Sequence, residues 1–296
     1  AAQALSGIAK DLNKMSAKSG IKLLVPDEQQ GTLYKWVAIL TGSKNTLKGV
    51  GFFLGGVLLM AAGFTGAVII MVVALGLVWL ASLFLLGQDL GKSKAKPKFR
   101  EILSKSRAIN VLSAARMFLF GARDVWFVVA LPVYLHTVFG WDFWKVGGFM
   151  ATWIIGYGFI QTMAPRITGD MEGKQPAVLW AAALALVPAG IAIGLTAGWS
   201  PQFVIVGGLL LFGVLFAVNS SLHSYLIVSY ARGDGVSLDV GFYYMSNAAG
   251  RLLGTILSGW VYQAYGLEAC LWISFGLVAT AALLSLMLPE RRPVTA

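Results

Sequence analysis

Long apolar segments alternate with short polar connections along almost the whole chain. The continuous apolar runs, without strand-like alternation, favour helices. A helix needs about 20 residues to cross a hydrocarbon core of about 30 Å. The pattern therefore predicts an all-α, polytopic membrane protein with about nine helices. The predicted spans are 1–24, which is partial and polar, 34–59, 64–86, 109–135, 144–164, 177–197, 202–230, 240–263 and 267–288.

Composition agrees with a membrane protein and explains the high positive charge. The chain is 57% hydrophobic and 12% charged, with a formal net charge of +10. Basic residues concentrate in alternate connections, above all in residues 88–107. Lys and Arg are enriched in cytoplasmic loops, so this distribution predicts that the linker and the C-terminus lie in the cytoplasm. A multi-pass protein of the cell membrane is expected, with the lipid bilayer and no nucleic acid as partner.

The sequence lacks the motifs of a metal centre or a nucleotide-driven enzyme. Cys270 is the single cysteine, which excludes a disulfide within the chain and a thiolate cluster. The sequence has no phosphate-binding P-loop and no His-rich metal spacing. We therefore predict no metal, no other cofactor and no enzymatic activity.

The basic linker divides the chain into two unequal groups of spans. We interpret residues 1–87 as a partial N-terminal bundle, 88–107 as a cytoplasmic linker, 108–289 as a C-terminal six-helix bundle and 290–296 as a cytoplasmic tail. Two six-helix bundles joined by a cytoplasmic loop resemble the major facilitator architecture. On that comparison, residues 1–87 correspond to helices 4–6. We expect about the first three helices of the fold to precede this chain.

Two pairs of basic residues lie inside predicted spans. Lys44 and Lys48 are four residues apart, and Arg116 and Arg123 are seven apart, so each pair shares a helix face. A charge at bilayer depth costs roughly 2.5–3.5 kcal/mol, and such residues usually face a wet cavity or a partner. The two pairs therefore predict a path for a small anionic substrate.

Further polar residues extend this candidate site. Asp11 and Asp124 are the only well-placed acids, and we regard them as candidates for ion pairing or coupling. Adjacent residues point about 100° apart on a helix, so Arg123 and Asp124 are not expected to pair simply with each other. The predicted substrate-binding residues are Lys10, Lys14, Lys44, Asn45, Lys48, Arg116, Arg123, Tyr244, Asn247 and Arg251.

Other features have simpler interpretations. Lys18 and Lys22 are interpreted as lysines that snorkel at a cytoplasmic helix end. His223 is interpreted as a packing residue rather than a proton carrier. Small residues at four-residue spacing allow close helix contact, which is the interpretation of Gly49, Gly51, Gly55 and Gly56.

Three stretches resemble a known family of arsenic-resistance permeases, called ArsJ, within the major facilitator superfamily. They are AAQALSGIAKDLNKMSAKSGIKLLVP, GTLYKWVAILTGSKNTLKGVGFFLGG and FLFGARDVWFVVALPVYL, and the resemblance covers essentially the whole chain. It implies export of 1-arseno-3-phosphoglycerate, which a partner glyceraldehyde-3-phosphate dehydrogenase makes from arsenate. An antiporter of sugar phosphates or other organic anions remains an alternative, as does a membrane-embedded enzyme or sensor of anionic ligands.

Overall fold

The computed structural model describes residues 2–26, 29–85, 104, 106–169, 174–231 and 236–289, without the side chains of 2–6, 8, 10, 11 and 23. Every regular element in these ranges is an α-helix, which confirms the all-α prediction. The predicted linker and tail lie almost entirely outside the described residues, so the division into domains stays a prediction. The helices are α1 (Ala2–Leu24), α2 (Gln30–Leu85), α3 (Arg107–Phe127), α4 (Ala130–Thr137), α5 (Phe143–Thr168), α6 (Gln175–Thr196), α7 (Pro201–Tyr230) and α8 (Val236–Ser285).

Five helical segments in the described ranges are long and apolar enough to cross a membrane. They are α2, the α3–α4 segment, α6, α7 and α8. Helix α1 is outside this group and carries lysines at every fourth position from Lys10. Helix α5 is also outside it and contains polar residues such as Gln161. The predicted count of nine spans is therefore not confirmed.

Single glycines interrupt the two longest helices. Helix α2 has 56 residues and breaks at Gly63, where φ is +64°. Helix α8 has 50 residues and breaks at Gly266, where φ is +78°. A positive φ is readily adopted by glycine because it lacks a Cβ. The sequence predicted connections between spans at both places, and the structure instead has one non-helical residue at each.

A proline divides the span predicted at 109–135 into α3 and α4. Pro132 has no N–H, and its ring clashes with the carbonyl of Val128 in a continuous helix. Helix α3 accordingly ends at Phe127 and α4 begins at Ala130. The Ala130 N–H donates to Oγ of Ser258 on α8 at 3.1 Å. Helix α8 therefore supplies the acceptor that the broken helix no longer provides.

The core surrounds α3, which packs most extensively against α8. Leu119 and Trp126 of α3 are fully buried together with Phe212 and Phe216 of α7. The Trp126 and Phe212 rings meet edge to face, 5.2 Å between centroids. The polar residues of α3 are therefore held in the middle of the molecule.

A second apolar cluster attaches the start of α2 to α7 and α8. Leu33 and Val37 of α2 are buried with Leu226 of α7 and Val240 of α8. After Gly49 the character of α2 changes, because most of its large apolar side chains are exposed and Ala67 is its one buried described residue. Apolar exposure of this extent suits contact with lipid or with other membrane helices.

Candidate functional site

Glycines bring the backbones of α3 and α8 together. A Cβ on Gly250 would overlap the carbonyl group of Met117, and a Cβ on Gly254 would lie 2.6 Å from the Gly121 oxygen. Small residues at helix contacts permit such close approach. We call Gly121, Gly250 and Gly254 the glycine seam. The seam places the polar side chains of α3 and α8 within reach of each other.

Arg116 of α3 is buried, with 4% of its surface exposed, among neutral partners. Its Nε donates to Oδ1 of Asn247 at 3.1 Å. Its Nη1 donates to the carbonyl oxygen of Ser220 at 3.1 Å and to the Ser220 Oγ at 3.2 Å. The guanidinium carbon lies 3.8 Å from the centre of the Phe120 ring and 5.0 Å from that of Tyr243. No carboxylate contacts Arg116 among the side chains that the structure describes.

Arg123 and Arg251 share the carboxylate of Asp124. The Oδ1 atom of Asp124 accepts from Nε of Arg123 at 2.6 Å and lies 2.5 Å from its Nη2. The Oδ2 atom accepts from Nε of Arg251 at 2.9 Å, across the glycine seam. The expectation that Arg123 and Asp124 would not pair is wrong. The arginine side chain is long enough to reach the neighbouring carboxylate despite the angle of about 100° between adjacent residues.

Lysines of α1 face two tyrosines of α8. The Nζ of Lys18 lies 5.7 Å from the ring centre of Tyr243 and 5.1 Å from that of Tyr244. The Nζ of Lys14 lies 5.7 Å from the Tyr244 ring. Only 3% of Lys18 is exposed, so its interpretation as a snorkelling lysine is wrong. Helix α1 packs with Lys14 and Lys18 towards α8, and the tyrosine faces attract the ammonium groups.

Cations from three helices converge near Lys18. Lys18 and Arg116 of α3 meet at the Tyr243 ring, with Nζ and the guanidinium carbon 5.7 Å and 5.0 Å from its centre, while Lys14 and Lys18 share the Tyr244 ring. Lys44 of α2 is near enough to Lys18 for their charges to interact. Like charges repel when brought together, and a region lined by one sign of charge attracts ions of the opposite sign. The arrangement is therefore suited chemically to an anion. We call Lys14, Lys18, Lys44 and Arg116 the cationic cluster.

A chain of polar groups joins α2 to α5. The Nδ2 of Asn45 donates to Oε1 of Gln161 at 2.5 Å, and the Nε2 of Gln161 donates to the hydroxyl of Tyr157 at 3.0 Å. Gln161 is fully buried, whereas Lys44 and Lys48 are exposed. Asn45 therefore faces a neighbouring helix, while the two lysines lie on a more open surface of α2.

The interpretation of the α2 glycines as close-packing residues holds at one position of the run and fails at others. A Cβ on Gly49 would lie 2.5 Å from Cγ1 of Ile155, so close packing is confirmed there. The same interpretation is wrong at Gly51 and Gly55, where no described atom lies within 4 Å of the Cβ position, while at Gly56 the nearest is a Trp144 ring atom 4.0 Å away.

Closer packing occurs about two turns before Gly49, at Gly42 of α2 opposite Gly158 of α5. A Cβ on Gly42 would lie 2.5 Å from the Gly158 carbonyl oxygen. A Cβ on Gly158 would in turn overlap the backbone of Thr46. The α2–α5 contact thus rests on two glycines that the sequence interpretation did not single out.

The structure brings together most of the predicted site residues that it describes. Arg116 contacts Asn247, and Arg123 and Arg251 contact Asp124. The side chains of Lys10 and Asp11 lie outside the described part, and the roles of all these residues stay predictions. Sequence reasoning named Tyr243 and Ser220 only as members of wider polar groups, and it took Lys18 for a snorkelling lysine. It missed Tyr157 and Gln161, although each is a polar or aromatic residue in an apolar stretch.

Comparison with known families identifies the architecture. The family model described as Major Facilitator Superfamily matches residues 1–238. The chain belongs to the Major Facilitator Superfamily. The protein is therefore a multi-pass membrane transporter, in a superfamily whose members are generally not enzymes. The predicted major facilitator fold is confirmed at this level. No curated protein sequence matches the chain.

The described residues also bear on metal binding. They contain no group of three or more His, Cys, Asp or Glu side chains placed to hold a metal ion. The single cysteine, Cys270, is buried among apolar side chains of the core around α3. The chemistry of the candidate site is therefore that of hydrogen-bond donors and cations.

Proposed function

We propose that this transporter exports an organic anion with several negative charges, and that the anion is 1-arseno-3-phosphoglycerate. The observation that supports the proposal is the cationic cluster, in which Lys18 of α1 and Arg116 of α3 meet at the Tyr243 ring. Arg116 contributes a guanidinium group whose hydrogen-bond partners are neutral. An anion that entered this region would give the Arg116 guanidinium group a charged partner in addition to these neutral ones.

The chemistry of the donors suits tetrahedral oxyanions. The planar fork of an arginine matches two oxygens of a phosphate or arsenate group, while lysine acts as a compact point charge. Tyr243, Tyr244 and Asn247 add polar atoms beside Arg116 and Lys18. Trivalent arsenic is a soft ion that prefers thiolates, and one buried cysteine does not provide such a site. The proposal is therefore restricted to the oxyanion form of arsenic.

The basic linker and the resemblance to arsenic-resistance permeases support the direction of transport. With the linker and C-terminus in the cytoplasm of the cell membrane, substrate made in the cytoplasm enters from that side. Glyceraldehyde-3-phosphate dehydrogenase is the proposed functional partner, because it would supply the organoarsenical. Export would then confer resistance to arsenate.

A resistance assay tests the substrate. The complete reading frame that encodes this chain is expressed in an arsenic-sensitive host, with and without the dehydrogenase. We expect protection against arsenate only when both proteins are present, and no protection against arsenite in either case. The matched variant Arg116→Met should not protect. Equal protection against arsenite without the dehydrogenase would refute the substrate assignment.

A transport assay separates export from simple binding and tests the second candidate. Arginine and lysine donors bind phosphate as well as arsenate, so a sugar-phosphate or other organic-anion antiporter uses the same chemistry. Everted vesicles are loaded with one sugar phosphate and offered radiolabelled 3-phosphoglycerate or sugar phosphate outside. The antiporter would be favoured if radiolabelled sugar phosphate enters only when the vesicles contain unlabelled sugar phosphate. No uptake of any anion would contradict transport by this site.

A further inference from the structure

Asp124 holds two arginines from different helices in one buried contact. Its carboxylate is fully buried, and each of its oxygens accepts from a different guanidinium group. Oδ1 accepts from Arg123 of α3 at 2.6 Å, and Oδ2 accepts from Arg251 of α8 at 2.9 Å. Among the described side chains, no second carboxylate contacts either arginine. Two positive charges therefore share one negative charge.

The two arginines differ in exposure, which decides where another anion could reach them. The Arg251 side chain is 48% exposed and the Arg123 side chain is 13% exposed, while Asp124 is inaccessible. A second anion can therefore approach the guanidinium groups from the open side without first reaching the carboxylate. The donors are accessible although their present acceptor is not.

The shared carboxylate lies next to the cationic cluster. Arg116 and Arg123 both lie against the Phe120 ring, with guanidinium carbons 3.8 Å and 4.9 Å from its centre. An anion with one charged end at Arg116 would therefore meet Arg123 with its other end. Arg116 has neutral partners, whereas Arg123 already holds a carboxylate. One end of a ligand would therefore bind a guanidinium group that has no carboxylate partner among the described side chains, and the other end would compete with Asp124.

We propose that Asp124 is a resident counter-anion, which one end of the transported anion displaces from Arg123 and Arg251. This inference rests on the proposed function, because it takes the cationic cluster as the place where the first anionic end binds. In the empty protein, the carboxylate reduces the cost of two cations at bilayer depth. In the loaded protein, the guanidinium groups turn from the carboxylate to the ligand.

Competition of this kind affects affinity and release. Every ligand that uses Arg123 or Arg251 must first break contacts with Asp124, so the carboxylate weakens binding of ligands with two anionic ends. Return of Asp124 to the arginines then assists release. A transporter has to release its substrate, so a competing internal group is a useful property rather than a defect.

Equilibrium binding to the purified full chain in lipid nanodiscs tests the inference, with 3-phosphoglycerate as the probe. Asp124→Asn should lower its Kd by about tenfold or more, because the ligand no longer has to replace a charged hydrogen-bond acceptor on the two arginines. The matched control is Asp239→Asn, which removes an equal charge at the start of α8, where Asp239 accepts from Ser104. The control should leave the Kd unchanged. An unchanged or higher Kd in Asp124→Asn would overturn the inference.

A second pair of variants serves if Asp124→Asn fails to accumulate in the membrane. Arg251→Gln is compared with the double variant Arg251→Gln, Asp124→Asn, which keeps the wild-type net charge. The double variant should bind 3-phosphoglycerate more tightly than the single one, because Arg123 no longer has a competing carboxylate. Equal affinities would overturn the inference. Failure of the wild type and all variants to bind would overturn the proposed function as well, whereas binding that Asp124 does not affect overturns this inference alone.

Discussion

The two cationic pairs of the chain have similar sequence patterns and different environments. Lys44 and Lys48 of α2 are exposed, whereas Arg116 is 4% exposed and the Arg123 side chain 13% exposed. Helix α3 is enclosed by α7 and by α8, which it meets along the glycine seam. Helix α2 packs mainly against α5 and, at its start, against α7 and α8, and these contacts leave Lys44 and Lys48 exposed.

This difference teaches that spacing along a helix does not establish the role of a charge. Residue spacing shows which side chains share a face, and both pairs satisfy that condition. Packing decides whether the shared face is enclosed, and only an enclosed cation needs hydrogen-bond partners at defined positions. Arg116 and Arg123 have such partners, and we therefore expect the α3 pair to be more sensitive to substitution than the α2 pair.

The largest effect is expected from Arg116→Met. The substitution removes hydrogen bonds of a charged group that contribute roughly 1.5–3 kcal/mol each, and it removes the cation expected to meet the substrate. Uptake of radiolabelled 3-phosphoglycerate into everted vesicles should fall at least about 100-fold, because more than one such hydrogen bond is lost. The protein should still be present in the membrane. Lys35→Met, at an exposed position early in α2, is the control and should transport normally. Wild-type uptake by Arg116→Met would show that α3 does not carry the anion site.

A smaller effect, on stability, is expected from Gly250→Ala. The added Cβ would overlap the Met117 backbone, and overpacking of this kind typically costs about 1–3 kcal/mol. The thermal midpoint in detergent should fall accordingly. The control is Gly259→Ala on the same helix, where no described atom lies within 4 Å of the Cβ position. Equal midpoints for the two variants would mean that α3 and α8 do not depend on the glycine seam.

Asn45→Ala should have a weaker effect on stability, because it affects the α2–α5 contact. Gln161 loses the donor that lies 2.5 Å from its Oε1, and an unsatisfied buried acceptor costs about 1 kcal/mol or more. The thermal midpoint should decrease slightly, and less than in Gly250→Ala. Asn13→Ala, at an exposed position of α1, provides the baseline. A fall in the thermal midpoint as large as that of Gly250→Ala would show that the α2–α5 contact contributes as much to stability as the α3–α8 contact.

The smallest effect is expected from Lys48→Met. Exposed charges interact through a high dielectric and contribute about 0.2–1 kcal/mol in typical pairs. The rate of anion uptake should therefore fall by less than about fivefold, by the same estimate. Complete loss of uptake, at normal protein level, would place Lys48 in the substrate path and make the two cationic pairs equivalent.

The sequence by itself determined the class of protein and most helix positions. Apolar runs of about 20 residues have few structural solutions in a membrane, because every backbone polar group needs an internal partner. Local chemistry also explains the break near Pro132. The sequence placed connections near Gly63 and Gly266, although it did not show that a single glycine would replace each loop.

Only the tertiary structure decided which polar groups meet. The sequence shows that Lys18 continues the lysine stripe of α1, but not that Lys18 faces Tyr243 and Tyr244. It places Arg123 and Asp124 on different faces, but a flexible arginine side chain reaches across that angle. The rotation of each helix about its axis depends on contacts between residues far apart in the chain. For that physical reason, helix positions followed from the sequence and the pairing of charges did not.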